Sequence, residues 1–217
     1  MSTSLREGLA PAARREVSDG VFAHVQPDDS WWINNTGLVL GPTGAISIDA
    51  CATEARTRAY RDAVRRQTPL PVRTLVNTHH HGDHTHGDYL FRDATVVAHE
   101  RTREALLEAG IWRDPPYWTP FDLGAVELEP PSLTFRDRVT LWAGDLRCEV
   151  LHVGGRRTPA TTASASSATC TGPTPSRAGP SPARQSTWLL PSATWSPTTA
   201  AGRSPAWPES CRARRPR

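Results

Sequence analysis

Thr78-His79-His80-His81-Gly82-Asp83-His84-Thr85-His86-Gly87-Asp88 holds five of the chain's eight histidines, with an aspartate among them. Neutral imidazole and carboxylate form the ligand set that a borderline divalent cation prefers, zinc first. His79, His81 and Asp83 stand at i, i+2 and i+4, so in an extended segment their side chains leave on one side. His84 is out of that phase and can turn toward a neighbouring position, as a second metal requires. A zincin helix needs a His-Glu-x-x-His pair at helical spacing, which is absent. A purification tag would sit at a terminus and would lack the interspersed Gly82, Asp83 and Gly87. The segment reads as a metal site built from His79, His81, Asp83 and His84. His80 and His86 fall between the ligand positions and read as supporting or solvent-facing side chains. His24 and His99 lie in strand-like contexts that suit structural histidines.

Working outward, the β-branched and apolar residues of Val72-Arg-Thr-Leu-Val-Asn77 make a short buried strand, so the segment ends a strand rather than opening a helix. Further upstream, Asn35-Thr-Gly-Leu-Val-Leu-Gly-Pro-Thr-Gly-Ala-Ile-Ser-Ile-Asp49 reads as a pair of strands. The pattern His79-x-His81-x-Asp83-His84 after Thr78, together with this pair of strands, resembles the metallo-β-lactamase superfamily over roughly residues 20–155. That resemblance implies an α/β fold, an αββα sandwich with only the first half and part of the second sheet represented. It also implies one or two zinc ions, with iron possible at the same ligands. In such a mechanism a metal-bound hydroxide attacks an ester, thioester or amide-type bond, and Asp83 is the catalytic residue that orients it. Asp49 has two readings: support for the metal loop by hydrogen bonds, as the family implies, or a helix N-cap.

The remaining first part patterns as an ordinary globular domain. Residues 21–25, 37–40 and 45–49 read as strands set off by Gly, Pro and Asn turns. Residues 53–66 read as an amphipathic helix with Ala55, Ala59 and Ala63 on one side. A strand at 95–98, a helix at 100–109 and strands at 139–142 and 147–153 complete a layered α/β pattern. Residues 1–19 are expected to be an N-terminal extension. The stretch 111–131 reads as an irregular loop over the site mouth, where Trp112, Tyr117, Trp118 and Phe121 supply apolar contact to a small-molecule substrate or plug a sheet edge. The first twenty residues carry no apolar core long enough for a signal peptide, and no apolar run is long enough to span a membrane. Cys51, Cys148, Cys170 and Cys211 show neither zinc-type nor disulfide-framework spacing, so a reduced, cytoplasmic chain is expected.

Residues 156–217 change character. They hold nine arginines against the single Glu209, a balance of +8, while the rest of the chain carries −5. Half of the twenty prolines fall here. A segment so poor in apolar periodicity is expected to be largely disordered. It reads as a basic arm for nucleic acid, as a solvated appendage, or as an out-of-frame translation of a GC-rich gene. The last reading accounts for most. Permissible codons for residues 156–162, read two bases on, spell Ala-His-Thr-Arg-Asp-Asp, and those for 192–198 spell Gly-Asp-Leu-Val-Thr-His. The family places its third metal-binding histidine and its bridging aspartate in segments of these kinds. As written, no histidine follows His152 and no aspartate follows Asp145. Of seven ligand positions the resemblance implies, four are filled. His152 falls about five residues before the expected third histidine and reads as a strand residue near the site. The sequence therefore predicts a zinc-dependent hydrolase with impaired activity. A non-catalytic metal-binding remnant or basic-tailed nucleic-acid binder, and an iron-dependent oxidoreductase of the same fold, are the alternatives.

Overall fold

The computed structural model describes residues 12–26, 34–111 and 122–153, and the backbone of 166–171 and 185–188. Its first sheet runs in sequence order: β1 (Ala13–Ser18), β2 (Val21–Val25), β3 (Thr36–Gly41), β4 (Gly44–Ile48), β5 (Val72–Val76), β6 (Thr95–His99) and β7 (Leu133–Phe135). Neighbours from β1 to β4 are antiparallel, whereas β4–β5, β5–β6 and β6–β7 are parallel. Parallel neighbours need crossovers. These are supplied by α1 (Glu54–Gln67), by the short helix α2 (Gly82–Thr85) with the 3-10 helix η1 (Asp88–Phe91), and by α3 (Glu100–Ala109). The chain consequently leaves β4, β5 and β6 at the same carboxyl edge, where open α/β sheets place their ligands.

A second sheet has the order β11-β10-β9-β8, from β8 (Arg138–Ala143), β9 (Leu146–His152), β10 (Ser166–Thr171) and β11 (Gln185–Trp188). The two sheets approach most closely where hairpin turns meet. A Cβ at Gly144, whose φ is +70°, would lie 2.4 Å from Pro42 Cγ, and one at Gly41 would lie 1.9 Å from the Ala143 oxygen. Glycine at both positions permits that approach. Between the sheets lie Val21, Val39, Ile46, Ile48, Val76, Val97 and Phe135 from the first and Ala143, Cys148 and Val150 from the second. On the other face of the first sheet, Leu38, Ala45, Leu75 and Val96 pack with Tyr60 and Val64 of α1 and Phe91 of η1. The described layers are helix, sheet and sheet.

The expected elements at 21–25, 37–40, 45–49, 72–77, 95–98, 100–109, 139–142 and 147–153 are present within a residue or two. The face of α1 differs from expectation. Thr57, Tyr60 and Val64 are its buried residues, while Ala55 and Ala59 are exposed. The larger side chains remove more apolar area from water, so they take the core side and alanine fills the flank. Thr53 accepts the Arg56 N–H at 3.2 Å and caps α1, which leaves Asp49 free of that task.

Four strands were not expected. β1 lies within residues 1–19 and pairs with β2, although its residues are mostly exposed. β7 is three residues long. β10 and β11 fall in the tail for which composition predicts disorder, and β10 pairs with β9 over six residues. Backbone hydrogen bonding is indifferent to side chains, so the open edge of β9 can pair with a Ser/Thr/Cys-rich segment that lacks alternation. Cys148 is disulfide-bonded, and the residue opposite it in the β9–β10 register is Cys170, against the expectation of reduced thiols. Trp112, Tyr117, Trp118 and Phe121 lie outside the described residues. The described end of that stretch packs on the start of α1, where Leu123 accepts the Glu54 N–H at 2.9 Å and Glu54 accepts the Ala125 N–H at 2.7 Å.

Candidate metal centre

The histidine-rich segment begins as extended chain and then turns. The Asp49 and Asn77 N–H groups extend the sheet ladder to Val76 and Val97, at 2.8 and 2.9 Å. After His81 the chain enters α2, so Asp83 lies in a helical turn rather than at the end of an extended run. The extended i, i+2, i+4 geometry therefore holds for His79 and His81 only. Asp83 and the next residue, His84, instead meet because their side chains turn toward each other from that short helix.

Two donor pairs result. His79 Nε2 and His81 Nδ1 face each other at 3.1 Å. His84 Nε2 faces Asp83 Oδ2 at 3.3 Å. The rings of His79 and His84 lie 4.1 Å apart, which brings the pairs together. Two ligands on a tetrahedral zinc at bond lengths of about 2.0–2.1 Å stand roughly 3.3 Å apart, so both pairs have the spacing that suits a shared ion. Among the described residues, no three His, Cys, Asp or Glu side chains are gathered tightly enough to cage an ion as they stand.

Asp49 organises the cluster. Its Oδ1 accepts the Thr78 N–H at 2.8 Å; its Oδ2 accepts the Thr78 hydroxyl at 2.8 Å and His84 Nδ1 at 2.8 Å. Thr78 Oγ1 in turn stands 3.0 Å from His79 Nδ1. With the hydroxyl proton committed to Asp49, His79 donates from Nδ1 and presents a bare Nε2 to the site. Asp49 is also the one non-glycine residue with positive φ, 59°, among the described residues. Aspartate tolerates that left-handed conformation better than most residues. Of its two sequence readings, support of the loop is the one the hydrogen bonds bear out.

Charge follows from this packing. Burial first, then the neighbouring His84 and His81, push the His79 imidazole down to about 2, and burial likewise lowers His81. Both are neutral at pH 7. Burial opposes the Asp83 carboxylate, but His84 outweighs it and holds the group at about 2. Burial also opposes a charged His84, yet Asp49 and Asp83 raise it to about 10. Without a cation, His84 supplies the positive charge that two carboxylates demand.

The histidines read as non-ligands separate from the pairs. His80 stands edge-on to His81 at 4.7 Å, held down to about 4 by burial and then by His81. His86 is 3% exposed and packs on Gly82, so its solvent-facing alternative is corrected. His24 is buried in β2, edge-on to Tyr60 at 5.0 Å. His99 caps α3 and His152 ends β9. Asn77, which the sequence did not single out, also matters: its Nδ2 donates to the fully buried Asp88 at 3.2 Å. Burial pushes the Asp88 carboxyl well up. The only signal for Asn77 was adjacency to the histidines.

Residues 29–170 match the family model described as the metallo-beta-lactamase superfamily, fifteen residues beyond where the sequence resemblance was drawn. The chain is 32% identical over 93 residues to the 2,4-dinitroanisole O-demethylase subunit alpha of Nocardioides sp. strain JS1661. That alignment takes in 42% of this chain and 25% of the relative, so the chain spans about a quarter of that relative's length. Among solved structures, the metallo-beta-lactamase from Pontibacter korlensis superposes with a TM-score of 0.57 at 20% identity, covering 72% of this chain and 66% of that one. The metallo-beta-lactamase from Hirschia baltica gives 0.53 at 16% identity, covering 73% and 66%. At these identities the likeness concerns the fold.

Proposed function

The chain belongs to the metallo-β-lactamase superfamily, and from that premise we propose that it is a metal-dependent hydrolase whose ligands are His79, His81, Asp83 and His84. The observation that carries this reading is the facing of His79 Nε2 and His81 Nδ1 at 3.1 Å beside the Asp83–His84 pair. The neutral imidazoles of His79 and His81 and the ionised Asp83 carboxylate are in the protonation states that ligation requires, whereas His84 would have to give up its second proton to a bound cation. Zinc, when bound, supplies a Lewis acid and the charge that activates water near neutral pH. The chain's own residues do the rest. Asp49 accepts a hydrogen bond from His84 Nδ1–H and thereby aims Nε2 inward. Thr78 relays Asp49 to His79 and sets that ring's tautomer. Asp83, held ionised, can accept a proton from a water beside it and orient that water toward an ester, thioester or amide carbonyl.

Residues 153–217 hold no histidine and residues 146–217 no aspartate, so this stretch adds no ligand of those kinds, and as it stands it should hold metal less tightly than a stretch that supplies them. Replacing His81 by Ala should remove more bound zinc than replacing His86 by Ala, counted per chain after dialysis. Equal losses would show that the ligands are assigned wrongly.

A second reading has its own support in the 93-residue likeness to a 2,4-dinitroanisole O-demethylase subunit. Here the bond broken is that of an aryl methyl ether. Hydrolytic cleavage releases methanol and the phenol, whereas oxidative cleavage with dioxygen and a reductant releases formaldehyde. Product analysis with zinc-loaded and iron-loaded protein separates the two chemistries.

A further inference from the structure

His99 ends β6 at the carboxyl edge of the first sheet, two residues beyond Val97, the last β6 residue partnered with β5. It shares a strand face with Val97, which packs between the sheets. There its ring stacks on His152 of β9, with centroids 3.9 Å apart and planes at 29°. Phe135 of β7 closes edge-on against His99 at 5.8 Å. His99 Nδ1 accepts the Arg101 N–H at 3.1 Å, so its proton sits on Nε2. On the other ring, the His152 backbone N–H donates to the Asp137 oxygen at 2.8 Å, while Nδ1 is buried without a hydrogen-bond partner.

We propose that the His99–His152 stack is a pH-sensitive clasp between the two sheets, closed while His152 is neutral and opened when it takes up a proton. A proton on His152 puts a cation face to face with an imidazole at 3.9 Å. The charged and titratable groups around His152 are His99 and Arg101 from β6 and α3, and Asp137 from the turn before β8. Asp137 favours the proton, but burial, His99 and Arg101 together outweigh it and hold His152 below its ordinary 6.5. The separated sheets would leave it at that ordinary value. The clasp is therefore intact above about pH 6.5 and is lost as the pH falls below it. Nothing in this depends on a bound metal.

Thermal unfolding of the full, metal-free chain at pH 7.5 and pH 5.5 tests it, with His152→Phe as the variant that keeps a ring in the stack but cannot titrate. The melting temperature of the unaltered chain should fall by about 3 °C more than that of the variant over this interval. Equal falls overturn the proposal. If the variant does not fold, NMR titration of the imidazole Cε1–H resonances in the unaltered chain decides instead. His152 should titrate below 6.5 and move upward in Arg101→Gln. Titration at or above 6.5, or no movement in that variant, overturns it.

Discussion

Asp49 stands behind the donor cluster rather than in it, and three hydrogen bonds at 2.8 Å make it the residue whose loss should be felt most without touching a ligand. Asp49→Asn keeps the left-handed backbone, but its single oxygen cannot accept from the Thr78 N–H, the Thr78 hydroxyl and His84 Nδ1 all at once. Zinc affinity, read by competition with a chromophoric chelator, should fall about 10- to 100-fold. An unchanged affinity would mean that His79 and His84 are oriented by something else. A different residue carries an acid sensitivity unrelated to metal. His24 is buried, both its ring nitrogens lack hydrogen-bond partners, and burial followed by Arg14 lowers it to about 4. The unfolded chain takes up that proton near 6.5, so the stability linked to neutral His24 is complete above 6.5 and drains away as the pH falls toward 4. His24→Phe should abolish on the order of 1–2 kcal/mol of acid-dependent loss, seen in urea titrations at pH 7 and pH 5. Parallel losses in both proteins would contradict it. At this scale sequence chemistry named the four ligand candidates, because imidazole and carboxylate at short spacing have few other uses. It could not choose between the two readings of Asp49, since a cap and a loop brace look alike until partners are known.

The elements around the site are short, and their packing is tight where glycine allows it. Gly87 opens η1, and a Cβ there would lie 2.1 Å from Thr57 Oγ1 and 2.7 Å from its Cγ2 on α1. Thr57 is fully buried and bound to the Thr53 oxygen at 2.9 Å, so it cannot give way cheaply. Gly87→Ala should destabilise the fold by about 1–3 kcal/mol, as overpacking does, and loosen the metal loop with it. Chemical denaturation gives the first effect and zinc retention the second; stability within about 0.5 kcal/mol of the parent would show that α1 and η1 separate easily. A strand with a buried apolar run, such as β4, was legible from sequence because both of its faces are covered, and β5 is buried only at Leu75 and Val76. β1 and β7 were not, since edge strands with exposed or few residues carry no alternation to read. The helical turn at α2 was also invisible: four residues hold no period.

Across the whole molecule, the second sheet covers one face of the first. β8 and β9 cover the first sheet with Ala143, Cys148 and Val150, while β10 and β11 continue the sheet from a stretch of mostly Ser, Thr, Ala, Pro and Arg. If residues 156–217 are read out of frame, restoring the frame brings back a histidine near position 157 and an aspartate near position 193. Zinc per chain and hydrolysis of an ester, thioester and lactam panel should then rise together, and changing the restored histidine to Ala should reverse both. An unrepaired chain that already holds two zinc ions and turns over at an enzyme's rate would disprove the reading. No helix among the described residues is long and apolar enough to cross a membrane. What the sequence alone determined was local: ligand chemistry, buried strands, the helices that cross between them and the break in composition near residue 155, all readable because each is written within a few consecutive positions. The tertiary structure alone decided which groups meet. Asp49 and His84 are 35 residues apart, and His99 and His152 come from different sheets. Such contacts depend on sheet order and on which face each strand buries, and no local pattern encodes a distance across the fold.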